Sequence, residues 1–340
     1  MLGMRERGHE MSLACQPGAK LGARAQEAGF TVYEIPMRNA IDLPAILRLR
    51  HFMRQARADI VNCHSGRDTQ LAGMAARTLV RRPRIVRTRH LALPITSRFT
   101  YSVLPDHVVT VSKFVENYLV SAGVPNEIIT TVPTGIDFSR YDRASVPGDL
   151  RAELGLAPDT LLIGTVAILR VKKGHAQILD AVPAVLKRSP GAHFVFAGDG
   201  PQTKNLNRRI TAEWLESHVH MLGLRHDVIN ILASLDVFVL PTHQEALGTA
   251  FIEAAAMGLP CVGTKVDGVP EVVVDKITGL LIPPCDSPAL IEALCTLLAA
   301  PDVRQDIGNR AVAHVHERFS LDAMTHGMEN LYQRLSNGQG

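Results

Sequence analysis

The chain has 340 residues, 46% of them hydrophobic and 20% charged, with a net charge of +3. That is enough apolar material for two domains of ordinary size, and it excludes a disordered, collagen-like or disulfide-framework protein. No apolar run reaches the roughly 20 residues needed to cross a bilayer, and the opening ten residues lack the apolar centre of a signal peptide. Five cysteines, Cys15, Cys63, Cys261, Cys285 and Cys295, follow no metal-binding or redox spacing and read as buried thiols of a reducing cytoplasm. The charge is uneven. Residues 1–145 hold 20 Lys and Arg against 12 Asp and Glu, and the remainder 16 against 21. A basic first half suits peripheral contact with an anionic membrane or with a phosphate-bearing acceptor, solvated helix faces being the plain alternative. Without a recognised motif or interleaved aromatics, it does not suit nucleic acid.

Short apolar strands alternate with helical segments along the whole chain, the pattern of parallel, doubly wound α/β units. In the first half, strands are expected at 10–14, 31–35, 60–63, 85–88, 107–111 and 128–132, with helices at 20–28, 44–57 and 69–79. A turn-rich stretch around Pro133 to Asp137 and Pro147-Gly148 ends the first domain, placed at 1–145. The second domain, 146–320, restarts with a strand at 161–169. Strands follow at 192–197, 218–222, 236–240, 260–264 and 279–282, and helices close the chain at 288–299, 303–318 and 321–335. The last of these is expected to cross back to the first domain. A ligand belongs at the carboxyl ends of the strands, in the cleft between the two units.

The second half carries the chemistry. After its first strand, Arg170, Lys172 and Lys173 stand beside Gly174 and a helix start, a natural clamp for a diphosphate. After its second, Gly198-Asp199-Gly200-Pro201 permits close backbone approach, but Thr203 replaces the third glycine of the dinucleotide fingerprint, which argues against hydride-transfer cofactors. After its fourth comes Glu245 to Glu253, two carboxylates around Gly248-Thr249. A helix beginning near Gly248 offers free N–H groups to a phosphate, while carboxylates beside it suit sugar hydroxyls. A capped amphipathic helix with a solvent-facing Glu at each end reads the same nine residues without a ligand. Asp267-Gly268 opens a further helix.

These residues resemble the retaining glycosyltransferases of family 4, whose GT-B fold pairs two facing Rossmann-like domains across a cleft. The resemblance rests on the Arg170 to His175 loop, Ala197-Gly-Asp-Gly-Pro201, Glu245 to Glu253 and Gly268-Val-Pro-Glu-Val-Val273. Weaker pieces are Asp59 to His64, Arg89-His90, Val109 to Ser112 and Val132 to Asp137. It implies that Arg170 and Lys173 hold the donor diphosphate, with Gly174, Gly198 and Gly200 shaping its loops. Gly248 and Thr249 would offer amides to the phosphates, Glu245 would meet the donor sugar, and Glu253 the ribose. His90 would stand near the reacting sugar, with His64 the weaker candidate of the two histidines. The partners implied are a nucleotide-diphosphate sugar, UDP before GDP, and a glycan or lipid-linked acceptor of envelope polysaccharide or lipopolysaccharide synthesis. No cofactor is implied, and with no Asp-x-Asp in the chain a metal is not expected.

Members of that family open with a strand and glycine-rich loop that this sequence does not display. The expectation is therefore that the recorded start is late, leaving the strands at 10–14 and 60–63 beside an unfilled central position. A nucleotide-sugar binder without turnover, and a sugar-nucleotide epimerase sharing the two-domain plan, are the competing readings.

Overall fold

The computed structural model describes residues 1–91, 93–95 and 97–338, which form two compact units: Met1–Pro133 with Leu321 onward, and Thr134–Ser320.

In the second unit, runs such as Leu162-Ile-Gly-Thr-Val166 and His193-Phe-Val-Phe-Ala197 are apolar at nearly every position, as strands covered on both faces must be. In chain order the first six strands of the molecule belong to unit 1: β1 Ser12–Cys15, β2 Thr31–Glu34, β3 Ile60–Cys63, β4 Arg84–Arg89, β5 His107–Thr110 and β6 Ile129–Thr131. The second unit follows with β7 Leu162–Val166, β8 His193–Ala197, β9 Val219–Gly223, β10 Val237–Leu240, β11 Cys261–Thr264 and β12 Gly279–Ile282. These six form one parallel sheet in the order β12-β11-β10-β7-β8-β9. The winding runs outward from β7 to β9, returns to β10 beside β7, and runs outward again, so the reversal lies between β7 and β10. The core gathers Ile163, Phe194, Phe196, Val237 and Val239 from the sheet with Leu179, Leu290 and Leu294 from helices His175–Arg188 and Ser287–Ala299.

Strand β7 stops at Val166, short of the expected 169. Ala167 and Leu169 are drawn onto the loop after β8 instead, their N–H groups donating to Ala197 O at 3.0 Å and Asp199 O at 3.0 Å. The division between units falls after Pro133, earlier than the expected 145. The reason is hydrogen bonding: Tyr141 donates to Glu253, Arg143 to Leu235 O, and Gly148 N–H to Asn230. The linker is thus tied to the second unit along its length.

In the first unit β3-β4-β5-β6 form a four-stranded parallel sheet, and β1-β2 a separate parallel pair. Among the described residues β1 and β3 share no ladder, so these strands do not close up on one another. One apolar cluster nevertheless joins both sheets. Ile35, Cys63 and Ile85 meet Leu49 and Met53 of helix Leu43–Gln55 and Leu71 and Ala75 of helix Gly66–Ala76, with Ala14 and Val61 packed against them. The helix Leu321–Ser336 lies on this unit. Leu331 and Leu335 pack with Val86, Val109 and Val132, Tyr332 accepts from Asn62 at 2.9 Å, and Arg7 pairs with Asp322 and Glu329 at 2.5 and 3.0 Å.

One expectation about the cysteines fails. Four are buried, but Cys285 is exposed; it lies in the turn just before Asp286, which caps the helix Ser287–Ala299, outside the sheet and helix faces that form the core.

Candidate functional site

The loops that leave the sheet on either side of the winding reversal are stitched to each other. The Lys172 carbonyl, in the loop after β7, accepts from Thr242 Oγ1 at 2.9 Å and from His243 N–H at 2.7 Å, in the loop after β10. Gly174 sits between them with φ 75°, and a Cβ there would lie 2.0 Å from Pro241 O, so only glycine lets the two loops meet. Helix His175–Arg188 starts from this point.

Beside that junction Lys173 forms an ion pair with Glu245, their side chains only 14% and 18% exposed. The pair joins a cation from one loop to a carboxylate from the other. Glu245 is fixed from behind: its N–H donates to Asp267 Oδ2 at 2.9 Å, and its carbonyl accepts from Gly268 N–H at 3.0 Å. Burial raises Asp267 above its ordinary carboxylate range, against the pull of the Glu245 N–H. The loop after β8 joins the assembly through Asp199, whose carbonyl accepts from Leu169 and whose carboxylate accepts from Gly200 N–H and Thr203 Oγ1, each at 2.7 Å. Those two bonds hold Asp199 below its ordinary range. Four loops, after β7, β8, β10 and β11, therefore form one hydrogen-bonded rim.

Helix Thr249–Ala256 begins as the spacing of the two glutamates predicts, with Gly248 at its N-cap in the left-handed region (φ 97°) and no acidic residue in its first turn. Its opening N–H groups present the positive end of the peptide dipoles, the surroundings an anion prefers. Thr249 is exposed at that end. Glu253 lies one turn further on, where Oε1 accepts from Tyr141 OH at 2.9 Å. Burial raises both groups, the tyrosine bond working against the rise at Glu253.

The structure thus brings Lys173, Gly174, Glu245, Gly248, Thr249 and Glu253 onto two adjoining loops and one helix start, with Gly198 and Gly200 on the neighbouring loop. Arg170 opens the turn Val171–Lys173 with an exposed side chain, and among the described residues it makes no ion pair. Two residues escaped the sequence reading. Tyr141 had no local signal, its partner being 112 residues away. His175 carries no functional signal in the sequence beyond its place after Gly174. It is 2% exposed, neither ring nitrogen has a hydrogen-bond partner in the described structure, and burial lowers it to about 4, so it is neutral.

In the first unit, the ends of β3 and β4 place His64 Nδ1 3.0 Å from His90 Nε2, the rings stacked at 5.3 Å. Both residues are exposed at the surface; partial loss of hydration against the neighbouring protein lowers both imidazoles, and His90 lowers His64 further. Along this contact one ring donates and the other accepts.

Residues 148–314 match the sequence model of the Glycosyl transferases group 1 family, and residues 2–140 that of Glycosyltransferase Family 4. The chain belongs to the family 4 glycosyltransferases. Among curated relatives, it is 25% identical over 314 residues to the N-acetyl-alpha-D-glucosaminyl L-malate synthase of Bacillus anthracis, covering 89% of this chain and 81% of that one. Of several other curated relatives it spans about half the length. A glycosyltransferase of Rickettsia africae superposes with a TM-score of 0.87 at 20% identity, over 98% of this chain and 92% of the other. Anabaena Alr3699/HepE in complex with UDP superposes with a TM-score of 0.83 at 20% identity, over 94% and 91%. This family member accordingly has the two Rossmann-like domains of the GT-B fold.

Proposed function

We propose that this glycosyltransferase moves a hexose from a nucleotide-diphosphate sugar, UDP-linked before GDP-linked, to a glycan or lipid-linked acceptor, with retention at the anomeric carbon. Unit 2 holds the donor, with the linker from residue 134 belonging to it, and unit 1 holds the acceptor. The observation that carries the reading is the Lys173–Glu245 pair at the winding reversal, with the Gly248 helix start and Glu253 beside it. A cation, helix-start amides and two carboxylates are the groups a sugar diphosphate would use, which supports the reading. HepE binding UDP on the same fold supports UDP as the first nucleotide to try.

In this reading Lys173 and Arg170 hold the diphosphate while the Gly248 and Thr249 amides point at its oxygens. The bond from the anomeric carbon to the diphosphate oxygen breaks, a bond from the acceptor oxygen to that carbon forms on the same face, and the acceptor proton passes to the departing diphosphate. Fixed cations and helix amides stabilise the charge that grows on the phosphate, which gives the protein a metal-independent means to that end. Glu245 accepts from donor-sugar hydroxyls and Glu253 from the ribose, while His90 with His64 lies near the reacting sugar. Envelope polysaccharide or lipopolysaccharide assembly at the inner face of the cytoplasmic membrane is the setting proposed, and no helix is long and apolar enough among the described residues to cross a membrane.

Calorimetric titration of the full chain with UDP and GDP tests the donor half. Micromolar binding of one nucleotide is expected, weakened about tenfold in Glu253→Ala, in line with about 1.5–3 kcal/mol for hydrogen bonds to a charged group. No binding of either nucleotide would overturn the reading, and binding without turnover of any UDP- or GDP-sugar would leave only a nucleotide binder.

A further inference from the structure

The basic stretch from Arg77 to Arg98 divides into two kinds of arginine. Arg77 donates to the carbonyls of Gly73, Val103 and Leu104. Arg81 pairs with Asp59 at 2.5 Å, and Arg82 and Arg84 reach Asp106 at 2.8 and 3.6 Å. Arg81, Arg82 and Arg84 are thus paired with carboxylates, and Arg77 is held by backbone carbonyls and is not among the residues lining the cavity around Arg87. Arg87 has no charged partner among the described residues. It is 5% exposed, its guanidinium carbon lies 3.4 Å from the centroid of the Tyr101 ring, and its hydrogen-bond partners, Thr100 and Tyr101, are neutral. Arg89 donates to the carbonyls of Leu91 and Leu93 and to the Tyr101 hydroxyl, and Arg67 donates to Met37 O at 3.1 Å, but among the described residues no carboxylate, Asp68 included, pairs with Arg87, Arg89 or Arg67.

These three arginines line one cavity of about 330 Å³ within unit 1, together with Gly66 and Gln70. Arginine stays protonated, and a buried guanidinium without a counter-ion is costly unless something negative meets it. The first turn of helix Gly66–Ala76 comes to the same place: a Cβ on Gly66 would lie 3.6 Å from Arg87 Nη2. The N–H groups of Gly66 and Arg67 open that helix beyond its Ser65 cap, so dipole and guanidinium favour the same charge. Ile95 and Phe99 add apolar wall, room for an organic group beside the anion. Gly66 follows His64 by two residues and Arg89 immediately precedes His90, so the cavity grows from the two strand ends that carry the histidine pair.

We propose that this cavity binds a phosphate group carried by the acceptor. The inference rests on the reading of unit 1 as the acceptor half and specifies the class of molecule that half takes: a phosphorylated one, in which the planar fork of Arg87 and the exposed Arg67 grip the phosphate oxygens while the remainder of the acceptor reaches towards His90. The phosphate can come from a soluble polyol phosphate or from a lipid headgroup.

The test is a titration of the full chain with inorganic phosphate in the presence of saturating UDP, which keeps phosphate from the proposed donor loops. Binding is expected in the wild type, weakened at least tenfold in Arg67→Ala and in Arg87→Lys, and unchanged in Arg81→Ala. Arg67 is exposed, so its variant tests the site without risk to the core, and a thermal unfolding transition unchanged from the wild type shows that each variant is folded. Glycerol 3-phosphate displacing inorganic phosphate assigns a soluble acceptor. Flotation with phosphatidylcholine vesicles only when they contain phosphatidic acid, lost in Arg67→Ala, assigns a lipid one. No phosphate binding, or binding that survives in both Arg67→Ala and Arg87→Lys, overturns the proposal. Failure of the transferase reading shows separately, as absence of nucleotide binding in a chain that still takes phosphate.

Discussion

The two candidate sites are made of different material. In unit 2 the rim is mostly backbone: a Lys172 carbonyl, a Gly174 that no other residue can replace, Asp199 and Asp267 binding main-chain N–H groups, and a helix start at Gly248. In unit 1 the features are side chains, Arg67, Arg87 and Arg89 around a cavity and His64 against His90. In the proposed reading, this backbone would meet what every donor shares, a diphosphate. Side chains can change from one relative to the next without disturbing the sheet, which suits a half that meets a particular acceptor.

Substitutions that separate backbone from side chain test this contrast. The largest effect is expected for Gly174→Ala, where a methyl would fall 2.0 Å from Pro241 O at a left-handed φ. About 3 kcal/mol of destabilisation follows from strain and clash together, read as a lower Tm with loss of nucleotide binding. A wild-type Tm would show that the loops have room to part. Next comes Lys173→Ala, which removes the cation and strands Glu245. A fall of about 10²-fold in donor turnover is expected, on the scale of one lost electrostatic stabiliser, with nucleotide affinity changed much less. Equal losses in both would make Lys173 a binding residue only.

A smaller effect is expected from pH. His175 has a folded pKa lowered to about 4 by burial, then by Lys173, while an unfolded imidazole titrates near 6.5. Between those values the unfolded chain takes up a proton that the folded chain refuses. Stability from this group is therefore complete above pH 6.5 and falls as the pH drops towards 4, by up to about 1.4 kcal/mol per pH unit. His175→Leu should flatten that part of the profile, and an unchanged slope in denaturant unfolding would show that the ring is hydrated. His107, also lowered to about 4, keeps its own share in both proteins. The smallest effect is reserved for Arg81→Ala. Its pair with Asp59 is solvent-exposed, so less than about 0.5 kcal/mol is expected; a larger loss would place Arg81 in the fold's support.

What the sequence reveals follows the same division. Apolar runs such as Leu162 to Val166, and the glycines after them, declare strands, loops and a helix start because their constraints are local. The positions of Glu245 and Glu253 around Gly248 are read directly from spacing. Tyr141 against Glu253 is not, since the contact joins residues 112 positions apart. Nor is the distinction between Arg87 and Arg81, six residues apart in one basic run. Arg81 lies in the bend before β4 and reaches Asp59 at the surface, whereas Arg87 lies within β4 and turns inwards over Tyr101, which periodicity alone does not reveal in a strand buried on both sides.

The most direct test is hydrogen–deuterium exchange of the full chain with and without UDP, and again with GDP. The account predicts that the nucleotide slows exchange in residues 167–175, 198–203, 241–253 and 267–271, the four loops and the helix start around the Lys173–Glu245 pair. Protection confined to unit 1, or spread without regard to those loops, would contradict it.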